Sequence, residues 1–349
     1  MSALPAPSPG HPPLQRLPLI TLYLSERCNS RCITCDYWRQ GRADLNAESV
    51  RRLLPSLAEL QTQVALISGG EPLLNPEWME IARSLRDSGL KLWLLTSGLS
   101  LAKHARRVLE LFHAITISLD GTDSETYKAI RGVDAFDKVC EGIRTVAAAG
   151  IFVGVRVTLQ RSNYAQLSQF VQTARQLGVQ QVSFVAVDVA NPHAFGRIGT
   201  FENDAALRPS DLPIFEGLLD VLETDHAQDF HSRFIAESPR KLRGILQYFR
   251  AVCGQGRYPP VLCNAPEFSA VVDAKGLVNP CFFISGPAAA AHLNLEEALN
   301  SEPMAALRQA IRTSNRAECA TCVCSMWRDL SVVGTQILPS REGKSPDGR

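Results

Sequence analysis

Six short apolar runs recur between residues 19 and 187: LITLYL (19–24), VALIS (64–68), LWLLT (92–96), AITISL (114–119), FVGVRVTL (152–159) and VSFVAV (182–187). Amphipathic segments separate them, among them AESVRRLLPSLAEL, EWMEIARSLRDSG, KHARRVLELF, FDKVCEGIRTVAAAG and NYAQLSQFVQTARQLG. Strand-length apolar runs alternating with helical periodicity predict a parallel sheet whose crossovers are helices. Six such units are too few for a closed eight-stranded barrel, so the expected architecture is α/β, an open or partial (β/α)6 barrel. From about residue 226 the rhythm stops. Glycine, proline and most of the remaining cysteines then appear, as in CGQGRYPPVLCNAPE. The expected organisation is a proline-rich leader without structure (1–18), a core (19–225), a smaller second domain (226–335) and a tail (336–349).

Charge narrows the function. The chain has 36 basic and 35 acidic residues and a net charge of +1. No broad basic face for nucleic acid is expected. No stretch reaches the roughly 18 apolar residues of a membrane span, and MSALPAPSPGHPPLQRLP lacks the apolar core of a signal peptide. A cytoplasmic protein is expected, in which the ten cysteines are thiols or metal ligands rather than disulfides. They stand at 28, 32 and 35, then 140, then 253, 263, 281, 319, 322 and 324. Cys140 has helical spacing from Phe136 and Ile143 and reads as a small core residue.

Ligands of parallel α/β sheets bind where strands end and loops begin. Four punctuated sequences fall there: SERCNSRC, SGGEPLL, TSG and SLDG. Three thiolates on one short loop can hold three irons of a four-iron cluster and leave the fourth iron open, as a catalytic metal requires and a structural one avoids. Unrelated buried cysteines, or zinc with a remote fourth ligand, are the alternatives. Gly69 and Gly70 allow close backbone approach, and the Glu71 carboxylate suits an ammonium group. Arg156 lies inside an apolar strand. A buried arginine needs a carboxylate partner, either internal or on a ligand.

Cys28-x3-Cys32-x2-Cys35 after a first strand, with SGGEPLL after the second, resembles the signature of the radical S-adenosylmethionine enzymes. The resemblance covers roughly residues 19–330 and implies a TIM-like partial barrel. It also implies a four-iron cluster on Cys28, Cys32 and Cys35, whose open iron is chelated by S-adenosylmethionine, and cleavage of that cofactor to a hydrogen-abstracting 5′-deoxyadenosyl radical. By the same resemblance Gly69, Gly70 and Glu71 meet the methionyl ammonium, and Thr96 and Ser97 contact the ribose or methionyl part. Ser118, Asp120, Arg131 and Arg156 complete the expected cofactor contacts. In one departure, the residue before the third cysteine, often aromatic in the family, is Thr34 here. Tyr37 or Trp38 is left to take its place near the adenine.

Cys263-x12-Gly276-x4-Cys281, followed by Cys319-x2-Cys322, resembles the C-terminal Twitch module, a shortened relative of the SPASM domain. This implies a small α+β unit carrying one auxiliary four-iron cluster. VVDAKGLVNPC fits a hairpin whose turn glycine delivers Cys281. Four protein ligands would leave no open iron, which implies electron transfer. A structural zinc site is the alternative. Cys253 and Cys324 are then spare, each a hydrogen-atom donor or a packing residue, and Cys324 could also replace Cys322.

Four readings of the function remain in play. The first is two-electron oxidation of a small molecule, the auxiliary cluster taking the second electron. The others are modification of a peptide or protein side chain, redox-neutral epimerisation quenched by a spare cysteine, and a scaffold without catalysis. The short segment before the first strand favours a small molecule, and an electron donor such as flavodoxin or ferredoxin is the implied partner. In DVANPHAFGR, after the sixth strand, Asp188, His193 and Arg197 fall at the expected mouth of the site. His193 is the candidate to take a hydroxyl proton.

Overall fold

The computed structural model describes residues 13–192, 194–197, 204–287 and 294–330. All six apolar runs are strands: β1 (Leu19–Ser25), β2 (Val64–Gly69), β3 (Lys91–Thr96), β4 (Ala114–Ser118), β5 (Phe152–Leu159) and β6 (Gln181–Ala186). They pair in parallel, each with the next in sequence. The helices Ala47–Glu59, Trp78–Asp87, Leu101–Leu111, Phe136–Ala147 and Leu167–Gln176 supply the crossovers. Local chemistry starts some helices: Asn46 accepts from Ser49 N at the first crossover helix, and Asp123 from Thr126 N at a further helix, Ser124–Arg131, where free N–H groups need an acceptor.

The sheet continues past the expected six strands. β7 (Ser269–Val272) pairs in parallel with β1, and β8 (Val278–Asn279) runs antiparallel to β7. The order is β6-β5-β4-β3-β2-β1-β7-β8, so the sheet is open rather than closed. The predicted hairpin is this β7–β8 pair, with Gly276 at φ 79° in its turn. The sequence of this hairpin does not show that it extends the main sheet.

Alternation of side chains across each strand divides the sheet into two faces. One is the main core, where Ile20, Leu22, Leu24, Ile67, Leu94, Ile117, Val153, Val155 and Val157 pack beneath the helices. The concave face holds a smaller apolar group, Leu19, Val64, Leu66 and Phe268. Farther along the strands it turns polar. Register aligns Ser118, Arg156 and Ser183 in one row across β4, β5 and β6. Apolar floor and polar rim follow from a sheet that must be buried on both faces yet leave its strand ends open.

One buried amide ties the first crossover down. Asn75, 1% exposed, donates from Nδ2 to Leu24 O (2.6 Å) and Leu45 O (2.8 Å) and accepts from Glu77 N (2.7 Å). Asn75→Ala removes the side-chain donor to two carbonyls, of which Leu24 O keeps Leu45 N (2.9 Å). Urea unfolding should show a loss of about 1–3 kcal/mol, and an unchanged midpoint would refute this role.

Candidate active site

The loops after β1, β2 and β3 meet at the carboxyl end of the sheet. Their centre is Glu71, fully buried. Its Oε1 accepts from Leu73 N (3.2 Å) and Thr96 Oγ1 (2.9 Å), and its Oε2 from Ser97 N (2.8 Å) and lies 2.6 Å from Ser97 Oγ. These contacts occupy the acceptor sites of a carboxylate. Burial pushes the Glu71 pKa up against these donors, which favour the charged form.

In this structure, then, Glu71, Thr96 and Ser97 face one another. A short side chain on the turn at Gly69 and Gly70 reaches the β3 end before it reaches open space. Gly69 (φ 131°) and Gly70 lie against the β1 end, where an added Cβ would stand 2.4 Å from Ser25 O and 2.5 Å from Arg27 O, respectively. Glycine is required there by close packing. Ser97 Oγ also lies 3.0 Å from Asn29 Oδ1, and Asn29 Nδ2 donates to Ser100 Oγ (3.1 Å). Asn29, inside the cysteine loop, was not singled out from sequence because a lone asparagine there carries no spacing signal.

Cys28, Cys32 and Cys35 are half-buried free thiols. Burial pushes Cys28 to about 11, Cys35 to about 12, and Cys32 upward. Ser30 N points at Cys28 Sγ (3.5 Å). Asp120 and Arg131 form an ion pair (3.0 Å), and Asp120 Oδ1 accepts from Thr158 N (2.7 Å). Burial weighs against the Arg131 charge, but Cys32 and Asp120 outweigh it and hold its pKa well above the usual value. Arg131 Nε is buried without a hydrogen-bond partner. A cation kept beside Cys32 and Cys28 with an unsatisfied N–H fits an anionic thiolate-ligated group in this loop. No three His, Cys, Asp or Glu side chains among the described residues can share one metal ion. A cubane cluster, with one thiolate per iron, holds its ligands farther apart than a single ion does.

Ser118 and Arg156 lie on the polar row of the concave face. Arg156 forms no ion pair among the described residues; its Nε donates to Ser183 Oγ (3.3 Å). Its charge nevertheless bears on buried Glu237. Tyr37 and Trp38 take different roads: Trp38 Nε1 donates to Cys32 O (3.2 Å), whereas Tyr37 meets Tyr23 edge-on at 6.2 Å. His193 lies outside the described residues. Asp188 and Arg197 are each 4% exposed and pair with each other, so neither is open to substrate as expected.

The second thiol group gathers Cys263, Cys281, Cys319 and Cys322. Cys263 and Cys319 bear on Cys281, and Cys324, Cys263 and Cys281, in that order, bear on Cys322. Burial raises Cys281 to about 12 and raises Cys319 and Cys322 as well. Cys253 stands apart, its thiol donating to Leu207 O (3.2 Å). Cys324 N approaches Cys322 Sγ (3.4 Å). Cys140 is a buried core residue, as predicted. Tyr23, a residue without a sequence signal, stands between the two groups. Both Cys35 and Cys281 contribute to raising its pKa, after burial as the main cause, and its ring lies 6.2 Å from that of Phe282.

Residues 22–174, which hold the three-cysteine loop and every expected cofactor contact, match the model of the Radical SAM superfamily. That stretch of the chain is similar to the radical SAM enzymes. Enzymes of this superfamily use a four-iron cluster and S-adenosylmethionine. Curated relatives include a probable GTP 3′,8-cyclase of Saccharolobus islandicus, 27% identical over 53% of this chain and 61% of its own length. An AdoMet-dependent heme synthase of Methanosarcina barkeri is 27% identical over 46% of this chain and 48% of its own. The chain thus spans about half to three-fifths of these relatives. Among solved structures, Streptococcus suis SuiB bound to S-adenosylmethionine superposes with a TM-score of 0.64 at 15% identity, over 90% of this chain and 73% of that one. anSMEcpe with bound AdoMet and the Cp18Cys peptide gives 0.61 at 18% identity, over 82% of this chain and 81% of that one. At these identities the likeness shows the fold alone, an open partial barrel.

Glu71→Gln places an amide N–H against Ser97 and Thr96, which already donate. Stability should fall by about 1–3 kcal/mol in urea, and S-adenosylmethionine affinity by calorimetry should fall with it. Wild-type values for both would remove Glu71 from its place at the centre of the loops.

Proposed function

We propose that this protein is a radical SAM oxidoreductase acting on a small molecule, with a second four-iron cluster taking up an electron. The observation that carries this reading is the pair of thiol groups flanking Tyr23 at one end of the sheet. When bound, a reduced four-iron cluster and S-adenosylmethionine supply a 5′-deoxyadenosyl radical that removes a hydrogen atom from substrate.

The chain's own residues orient, shield and balance charge. Cys28, Cys32 and Cys35 would hold the first cluster and leave one iron open. Arg131, anchored by Asp120, offsets the charge of the thiolates. Gly69 and Gly70 bring backbone rather than side chains to the cofactor, while Glu71 holds that loop to Thr96 and Ser97. Arg156, in the polar row and without an internal carboxylate partner among the described residues, suits a carboxylate of cofactor or substrate. Cys263, Cys281, Cys319 and Cys322 would ligate the second cluster fully, which suits electron transfer and not substrate ligation. A flavodoxin- or ferredoxin-type protein is the proposed electron source, and the cytoplasm the proposed compartment. Among the described residues no helix is long and apolar enough to cross a membrane.

A peptide substrate is the second reading, favoured by a specific observation: SuiB was solved with the precursor peptide SuiA, and anSMEcpe with Cp18Cys. The two readings differ in what labels the cofactor. Deuterium carried into 5′-deoxyadenosine from a labelled peptide, and from no small metabolite, would establish the second.

Anaerobic reconstitution should give roughly eight irons per chain, falling to about four in a variant lacking Cys281 and Cys319. Four irons with one zinc in the wild type would replace the second cluster by a structural metal. Dithionite reduction should release 5′-deoxyadenosine, and Cys32→Ala should abolish it. A wild-type protein that keeps its iron yet leaves S-adenosylmethionine intact would falsify the enzymatic reading.

A further inference from the structure

The segment after β6 is bonded to residues beside both thiol groups at once. Arg197, its side chain 1% exposed, donates from Nη1 to Asn191 O (2.8 Å) and from Nη2 to Asp188 O (2.7 Å). The same Nη2 reaches Thr34 O (3.0 Å), next to Cys35. Asp188 lies 3.7 Å from the guanidinium as its counter-charge. Phe195 O accepts from Asp36 N (2.9 Å), on the other side of Cys35. Gly196, at φ 72°, sits so close that an added Cβ would stand 2.9 Å from Tyr37 N.

The opposite side of the segment faces the second group. Asn191 Nδ2 donates to Phe283 O (2.8 Å), two residues beyond Cys281. The Phe195 and Phe283 rings meet edge-on at 5.7 Å, and the Arg197 guanidinium lies 5.1 Å from the Phe195 ring. A buried guanidinium is costly. Here its planar fork spans three carbonyls from two chain segments, which the point charge of a lysine cannot reproduce.

We propose that Asp188, Asn191 and Phe195 to Arg197 brace the three-cysteine loop against the second thiol group, with Arg197 as the positioning residue that fixes Cys35 relative to Cys281 and whose charge favours the reduced state of a cluster on Cys28, Cys32 and Cys35. The second half rests on the cluster reading above; the first does not. Burial weighs against the Arg197 charge, and Asp188, Cys35, Asp36 and Tyr248 are among the groups that favour it. A fixed cation in a low-dielectric setting stabilises the more negative of two redox states.

Two variants and two readouts test this. In the purified chain without metal, hydrogen exchange of peptides covering 28–37 and 281–284 should rise severalfold in Arg197→Gln. Asn191→Ala should raise exchange in 28–37 too, although its lost side-chain bond is to Phe283. Unchanged exchange at 28–37 in Asn191→Ala overturns the brace, and this holds even where Arg197→Gln fails to fold. In reconstituted protein, EPR-monitored titration should place the first cluster at a more negative potential in Arg197→Gln, with Arg197→Lys between it and the wild type. An unshifted potential at full iron content overturns the charge role. A wild-type chain that binds no iron at Cys28, Cys32 and Cys35 defeats the cluster reading and the charge role with it, while the exchange result still decides the brace.

Discussion

A carboxylate removed from water must find its hydrogen bonds in the protein or lose its charge, and Glu71 finds them on three neighbours at once. Leu73 closes its own turn onto the carboxylate, and Thr96 and Ser97 bring the end of β3 to it. Asn29 then joins the cysteine loop to Ser97. Three loops that the parallel register only brings to the same edge are thereby fixed to one another. Strand register supplies proximity within several ångströms; the buried carboxylate supplies the remaining precision. The cost is that the acceptor sites of Glu71 are occupied by the protein's own donors.

Charge is distributed by the same logic. Arg131 is held by Asp120, and Asp120 is in turn held by Thr158 N. The guanidinium therefore cannot swing away from Cys28 and Cys32 without breaking a buried ion pair. Thiols that burial holds in their neutral form need such a fixed cation before they can become ligands together. Arg156 differs: one weak contact to Ser183 leaves its charge available on the polar row. Two arginines, one following β4 and one within β5, are thus assigned opposite tasks by their partners, one internal and one outward.

The strands were legible because burial on both faces writes itself as a continuous apolar run; β1 to β6 fall within about two residues of LITLYL through VSFVAV. The three-cysteine loop was legible because its spacing has few other uses. Which side chains are open to a ligand was not. Glu71, Thr96, Ser97, Asp120 and Arg131 are the residue types a cofactor site would use, and sequence cannot distinguish a carboxylate facing a ligand from one facing a serine two loops away. Asp188 and Arg197 failed as substrate candidates for the same reason: residues nine apart in a loop give no sign that they pair and bury each other. Tyr23 was hidden by periodicity, since an aromatic residue in an apolar run reads as core until β7 and Phe282 close over it.

The place of the second thiol group follows from β7. Had the later cysteines belonged to a unit joined only by a linker, their distance from Cys35 would vary with that linker. Instead β7 takes the free edge of β1, with Leu19 to Leu22 opposite Ser269 to Val272. The hairpin turn at Gly276 then returns the chain toward Cys281. β1 leads at its carboxyl end into the first cysteines and carries Tyr23 between the groups. A one-residue slip between β1 and β7 would turn Val272 and Ala270 from the core to the concave face. Core packing therefore guards the register, and the register sets the separation of the two thiol groups. The loop after β6 can act as a brace because its two anchors, Thr34 and Phe283, lie on loops that follow β1 and β8 of one sheet. It refines a distance that hydrogen-bonded strands have already made finite.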